Sequence, residues 1–314
     1  MFTDYFKKLS IDLNTTSEMF GLGERNGDFW LKDGTYSLWS YNQRATKENG
    51  RAPGKNLQGV HPVLFNRMPG SDDTLFMAIF SLNSNAQDFI IKNQPDNYAT
   101  ITEITTGGIF EMYVILPDTI DNVLAKYHRR IRTPFLPPLW TFGWHQSRSG
   151  YNSTGDLLAV LSTYETTNFP LESMWVDVDY MDSFRDFTID PDNFQYLSAF
   201  VDNLHGLGKK FVPVVDGSIS LQEGYDTYQR GLSGGAYVRS GASSSRNFVG
   251  QDESGDVVYP DWTKDSCQDW WTNELKEFKK KIDFDGLWLD RNEPSNLEDG
   301  AHYSKLGSLN SDRR

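Results

Sequence analysis

Short hydrophobic runs separated by polar breaks fill much of the first third of the chain. Between about residues 18 and 116, runs such as TLFMAIFSLNSNAQDFIIKN and YATITEITTGGIFEMYVIL are short, rich in β-branched and aromatic side chains, and broken by Asn, Ser and Gly. That texture predicts an antiparallel β-sandwich. From Asp118 to Arg132 the period changes: Ile120, Val123, Leu124, Tyr127 and Ile131 share one face of a helix that opens with Asp118 and Asp121. Pro134, Pro137 and Pro138 in TPFLPPLW stop that helix and set the domain boundary, giving residues 1–136 and 137–314.

Beyond the prolines, strand-like and helix-like segments take turns. WTFGWH (140–145) reads as a strand, and Ser153 to Asp156 as a capping box that opens a helix carrying Leu157, Leu158, Val160, Leu161 and Tyr164. LESMWVDVDYM (171–181) reads as the second strand, followed by a helix with Phe194, Leu197, Val201 and Leu204. KKFVPVVD (209–216) is the third. A polar Gly- and Ser-rich insertion around 217–258 breaks the rhythm, after which Trp270, Trp271, Leu275 and Phe278 form a helix leading to a fourth strand, FDGLWLD. Repeated strand–helix units imply a parallel sheet with helices outside it, either half of a (β/α)₈ barrel or a smaller open sheet.

The expected class is therefore α+β multidomain: a sandwich followed by about four βα units. Three of the four strands end in acids, Asp177 with Asp179, Asp216, and Asp290. In a barrel such ends converge on one mouth, where active sites lie, although each acid alone could equally be a turn former or a helix cap.

Composition narrows the chemistry. A formal charge of −13 leaves nothing systematic to neutralise a phosphate backbone, so nucleic acid is excluded as a partner. One cysteine and five scattered histidines suggest no disulfide, redox pair, metal site or cofactor. The longest apolar runs are too short to span a bilayer, and MFTDYFKKLS lacks the order of a signal peptide, which leaves the compartment open. Acids without His or Cys partners suit glycosidic chemistry or a hard cation such as Mg²⁺. Trp144, Trp175 and Trp288 lie on the same strands as the acids and favour a sugar over a hydrated ion, though each could also fill the barrel interior.

At these residues the chain resembles glycoside hydrolase family 31, the α-glucosidase family. WVDVDYMDSFRDFTIDPDNF (175–194) and FDGLWLDRNEPSN (284–296) are similar to its two signature regions, and FGLGER, SLNSNAQDF, TTGGIFEMYV and PPLWTFGWHQSR extend the likeness along the chain. The resemblance implies a retaining α-glycosidase with an N-terminal sandwich and a (β/α)₈ catalytic barrel, acting on an oligosaccharide substrate. It makes Asp290 the nucleophile, Glu293 the acid that supports it, and Asp177 the acid that holds sugar hydroxyls. Trp288, Val214 and Asp216 match positions lining the innermost subsite. Arg291 adjoins it.

Three positions depart from the family pattern. Arg291 stands where the family usually has Met or another uncharged residue, Glu253 where a sugar-stacking Trp falls, and Ser149 where an aromatic commonly follows Arg148. A retaining enzyme also needs a second carboxyl, which the resemblance places on a much later barrel strand. Residues 291–314 are too few for strands five to eight. The expectation is a chain lacking its C-terminal half and its acid/base, inactive on 4-nitrophenyl α-glucoside. A non-catalytic carbohydrate-binding remnant is the alternative.

Overall fold

The computed structural model describes residues 6–15, 18–39, 56–69, 75–241 and 244–297. Residues 298–314, on which the expectation of missing strands partly rests, lie outside them. The chain forms two compact units, residues 1–135 and 136–314.

The first unit holds eight strands: β1 (Lys7–Asn14), β2 (Met19–Gly21), β3 (Gly34–Leu38), β4 (Val63–Arg67), β5 (Phe76–Ser81), β6 (Gln87–Gln94), β7 (Tyr98–Thr105) and β8 (Met112–Asp118). They make two antiparallel four-stranded sheets, ordered β1-β7-β6-β3 and β2-β4-β5-β8. Alternation decides which side chains meet. In β6, Phe89 and Ile91 point inward, and they share one core with Ile101 of β7 and with Met19, Leu64 and Ile79 of the other sheet. The β6–β7 hairpin turns through Asp96 and Asn97, both left-handed, a conformation their short polar side chains tolerate. Helix α1 (Ile120–Ile131) covers Val63, Phe65, Ala78 and Phe80 with Val123 and Tyr127. Thr119 caps its start, and His128, Arg129 and Arg130 sit at the negative end of its dipole.

The second unit is built on a parallel sheet of β9 (His145–Gln146), β10 (Ser173–Val176), β11 (Lys210–Asp216) and β15 (Trp288–Asp290), adjacent in chain order. Between them run α2 (Thr154–Thr167), α3 (Leu197–Gly206), α4 (Asp226–Ser233) and α5 (Asp265–Lys281). Strand β11 is buried from Phe211 onward, as an apolar run flanked by neighbours on both sides should be. Ser153 caps α2 by accepting the Asp156 N–H at 3.1 Å, while Asp156 accepts from the N–H of Asn152 at 2.8 Å, one residue before the usual capping-box partner.

One reading of the pattern needs correction. WTFGWH is not a strand: Leu139–Phe142 is a single 3₁₀ turn, with Thr141 donating to the Pro138 carbonyl at 2.7 Å, and only His145–Gln146 pairs with β10. Pro138, whose ring fixes φ, is suited to start a helical turn. The polar insertion has regular structure of its own. It contains α4 and a three-stranded antiparallel sheet ordered β12 (Ile219–Ser220), β14 (Gly255–Val258), β13 (Val249–Asp252), whose register places Val249 opposite Val258.

Candidate functional site

Parallel strands deliver their C-terminal ends to one edge of a sheet, and that edge is where the three acids stand. Asp216 and Asp290 are register partners on β11 and β15, and Asp177 follows the last residue of β10. The sequence places them hundreds of ångströms of extended chain apart at most; the parallel pairing makes them neighbours.

Their surroundings differ. Asp177 accepts the N–H of Val178 at 2.7 Å and so caps the 3₁₀ turn Val178–Tyr180, which makes it a structural cap as well as a rim acid. Burial pushes its carboxyl up, aided by the charges of Asp179 and Asp290 and opposed by that hydrogen bond and by Arg291. Asp179 is spoken for: it accepts the Gly150 N–H at 2.9 Å and anchors the loop after β9. On that loop Ser149 accepts from Arg148 at 3.2 Å, and the Arg148 guanidinium lies over Tyr151.

Asp216 is 9% exposed, and its Oδ1 is sequestered with no hydrogen-bond partner among the described residues. Burial pushes its carboxyl up to about 7, against the pull of Arg291 and with the repulsion of Asp290, Asp252 and Glu253. Beside it lies Asp186, fully enclosed, whose Oδ1 accepts the Asp216 N–H at 2.9 Å and whose backbone carbonyl accepts from Tyr225 at 2.7 Å. Burial, then the charge of Asp216, drives the Asp186 carboxyl well above the ordinary range. Asp186 was missed in the sequence, although it lies inside the quoted 175–194 segment. Nothing in the pattern marks it: it stands between Arg185 and Phe187 in a stretch with five other aspartates.

The remaining candidates separate into two groups. Arg291 contacts Asp290, with Nε 3.8 Å from Oδ2, and makes a direct ion pair through Nη1 with Oε2 of Glu253. Burial pulls the guanidinium down, but the Glu253 bond and the charges of Asp216, Glu253 and Asp290 leave it raised overall. Two of the positions that depart from the family pattern are therefore partners of one another. Trp288, two residues before Asp290 and so on the same strand face, packs against Trp175 with ring centroids 5.9 Å apart. Val214, by contrast, is fully buried in the core, and its carbonyl accepts the Tyr180 hydroxyl at 2.8 Å. No hydrogen bond among the described residues joins Glu293 to Asp290; the Glu293 Oε2 is buried without a partner there.

Among the described residues no group of three His, Cys, Asp or Glu is arranged to hold a metal ion, and no helix is long and apolar enough to cross a membrane. What the rim offers is carboxylates of unequal proton affinity beside two indole rings.

Comparison with known proteins adds the lineage. A family model described as the glycosyl hydrolases family 31 TIM-barrel domain matches residues 134–312. Lysosomal alpha-glucosidase of Mus musculus is 34% identical over 305 residues, covering 96% of this chain and 30% of that protein. Alpha-xylosidase 1 of Arabidopsis thaliana is 30% identical over 305 residues, covering 96% and 32%. A crystal structure of the glucosidase II alpha subunit superposes with a TM-score of 0.83 at 21% identity, covering 93% of this chain and 33% of that one. The chain spans about a third of the length of these relatives.

Proposed function

The chain belongs to glycosyl hydrolase family 31, a family of glycoside hydrolases, and from that premise we propose that it carries the nucleophile, Asp290, of a retaining α-glycosidase acting on terminal α-linked glucose of oligosaccharides. The observation that carries the proposal is the register pairing of Asp290 with Asp216 at the C-terminal edge of the parallel sheet. Active sites of barrel enzymes are built at that edge. In this reading β9, β10, β11 and β15 are the first four strands of a (β/α)₈ barrel, and the two antiparallel sheets of the first unit are the layers of a sandwich.

The chemistry follows from what each side chain can do. Ionised Asp290, held by a strand rather than a loop, attacks the anomeric carbon; the C–O bond to the leaving group breaks and a glycosyl ester forms, which water then cleaves. Asp177 and Asp216 accept hydrogen bonds from sugar hydroxyls when ionised, and a protonated Asp216 can donate one. Trp288 and Trp175 supply an apolar wall. Glu293, three residues on, is the acid assigned to support the geometry of Asp290. Protonation of a leaving oxygen takes a second carboxyl about 5–5.5 Å from the nucleophile, and none of the described acids is assigned that role.

The test uses a substrate whose leaving group needs no proton. α-Glucosyl fluoride should release fluoride in the presence of the chain, and Asp290→Asn should reduce the rate on the order of 10³-fold or more, since it removes the attacking atom. Equal rates for the two would reject Asp290. A second reading, sugar binding without turnover, is motivated by the Arg291 guanidinium next to Asp290. It predicts glucose binding by calorimetry with no fluoride release from either protein.

A further inference from the structure

The chain turns sharply as soon as it has placed Asp290. Arg291 has φ 53°, in the left-handed region, which is uncommon for a residue other than glycine. The Asp290 carbonyl accepts from Gly217 at 3.1 Å and the Arg291 carbonyl from Ser295 at 3.0 Å. A Cβ on Gly217 would stand 2.8 Å from Asn292 Oδ1 and 3.1 Å from the Arg291 carbonyl oxygen, so the strand ends are pressed together.

From there the segment runs against the β13–β14 hairpin. The Asn296 side chain accepts the Gln251 N–H at 2.9 Å, and the Leu297 N–H donates to the Gln251 carbonyl at 2.9 Å. The hairpin is also held from the other side, where Ser218 donates to Asp252 at 2.5 Å. Within this joint the Arg291–Glu253 ion pair links the strand end to the hairpin turn. Its two side chains are 23% and 34% exposed, with the Glu253 end on the surface.

The same guanidinium contacts Asp290 and Glu253, and its charge reaches acids on the neighbouring elements. Asp290 lies on β15, Asp216 on β11, Asp177 just past β10 and Glu253 in the hairpin turn. Behind Asp216 stand Asp252 and the enclosed Asp186. Like charges this close raise one another's proton affinity and push the strand ends apart unless a cation stands among them.

We propose that Arg291 is a positioning residue for Asp290: clamped by Glu253, its guanidinium is the counter-ion that lets Asp290 and Asp216 sit side by side and that fixes the β13–β14 hairpin against the strand end. The inference rests on the reading of Asp290 as nucleophile for its functional meaning. Its test measures electrostatic coupling alone, so it succeeds or fails independently of that reading.

The experiment is thermal unfolding of the whole chain at pH 8 and pH 5 for the parent, Arg291→Met, Arg291→Lys, Glu253→Gln and the double variant Arg291→Met/Glu253→Gln. Without Arg291 the acids repel while ionised and are relieved as they take up protons. Arg291→Met should therefore lower the midpoint by about 5 °C at pH 8 and by less than half as much at pH 5, the scale of a loss of one to two kcal/mol in a unit of this size. Arg291→Lys, which keeps the charge, should recover at least half of the pH 8 loss. Glu253→Gln should lower the midpoint alone but not when added to Arg291→Met. A loss for Arg291→Met that is the same at both pH values, or a Glu253→Gln effect that is the same with and without Arg291, would overturn the proposal.

Discussion

Asp216 carries a large electrostatic penalty at the rim. Its carboxyl is raised from an ordinary 3.8 to about 7, by burial first, against the pull of Arg291 and with the repulsion of Asp290, Asp252 and Glu253, so folding opposes its ionisation. The penalty is absent below about pH 4, grows as pH rises, and is complete above about pH 7. Asp216→Asn should remove it, stabilising the chain by up to about 4 kcal/mol at pH 8, from three pH units at 1.36 kcal/mol each, and by little near pH 4. Urea unfolding at the two pH values measures this, and equal effects at both would contradict it. Asp177, Asp216 and Asp290 could be picked out in the sequence because each follows an apolar run that breaks into polar residues. Asp186 could not. Its link to Asp216 is a bond to a backbone N–H across 30 residues, and no periodicity reports such a contact. The pairing of Arg291 with Glu253 was hidden for the same reason: each stood out alone, but only the hairpin brings them together.

At the scale of elements, the readable segments were those whose burial is uniform or strictly periodic. β11 is enclosed along nearly its whole length, and the face of α2 that carries Leu157 and Leu161 packs as spaced. WTFGWH failed because six residues cannot separate a strand from a 3₁₀ turn, and two prolines stand just before it. Polarity of the stretch from 217 to 258 concealed the β13–β14 hairpin, whose short strands turn at Gly255 with φ 106°. Helix α4, in the same stretch, is fitted as tightly as any core element. A Cβ on its Gly231 would lie 2.2 Å from the Tyr237 hydroxyl and 3.0 Å from the Trp270 ring. Gly231→Ala should therefore cost roughly 1–3 kcal/mol by overpacking, even though alanine favours helix. A neutral or stabilising result in urea unfolding would show that this pocket can open.

For the whole molecule, the acids work in two directions. Burial would raise Asp285, but bonds from Lys210, from the Phe211 N–H and from His205 outweigh it and lower the carboxyl; the stability it contributes is present above its ordinary range and lost as pH falls through the lowered value. Asp118 is lowered to about 2, by Asn122 first and then Lys126, with the same sign. Asp216 and Asp186 act oppositely and favour lower pH. Stability should consequently be greatest at about pH 4, falling as pH drops below it and falling again as pH rises from 4 to 7, which a series of unfolding curves from pH 2 to pH 8 would check. The family was legible from its two signature regions. How charge is distributed over the rim was not, because it depends on burial and on contacts between strands far apart in sequence.

The central claim, that Asp290 is the attacking carboxylate, is tested most directly by trapping. In 5-fluoro-α-glucosyl fluoride the leaving fluoride needs no acid, while the ring fluorine destabilises the positive charge that must develop when the ester is hydrolysed, so the adduct persists. After incubation and proteolysis, mass spectrometry should find one fluoroglucosyl group per chain on the peptide containing Asp290, and none in Asp290→Asn. An unmodified chain, or a label on Asp177, Asp216 or any other acid, would contradict the account.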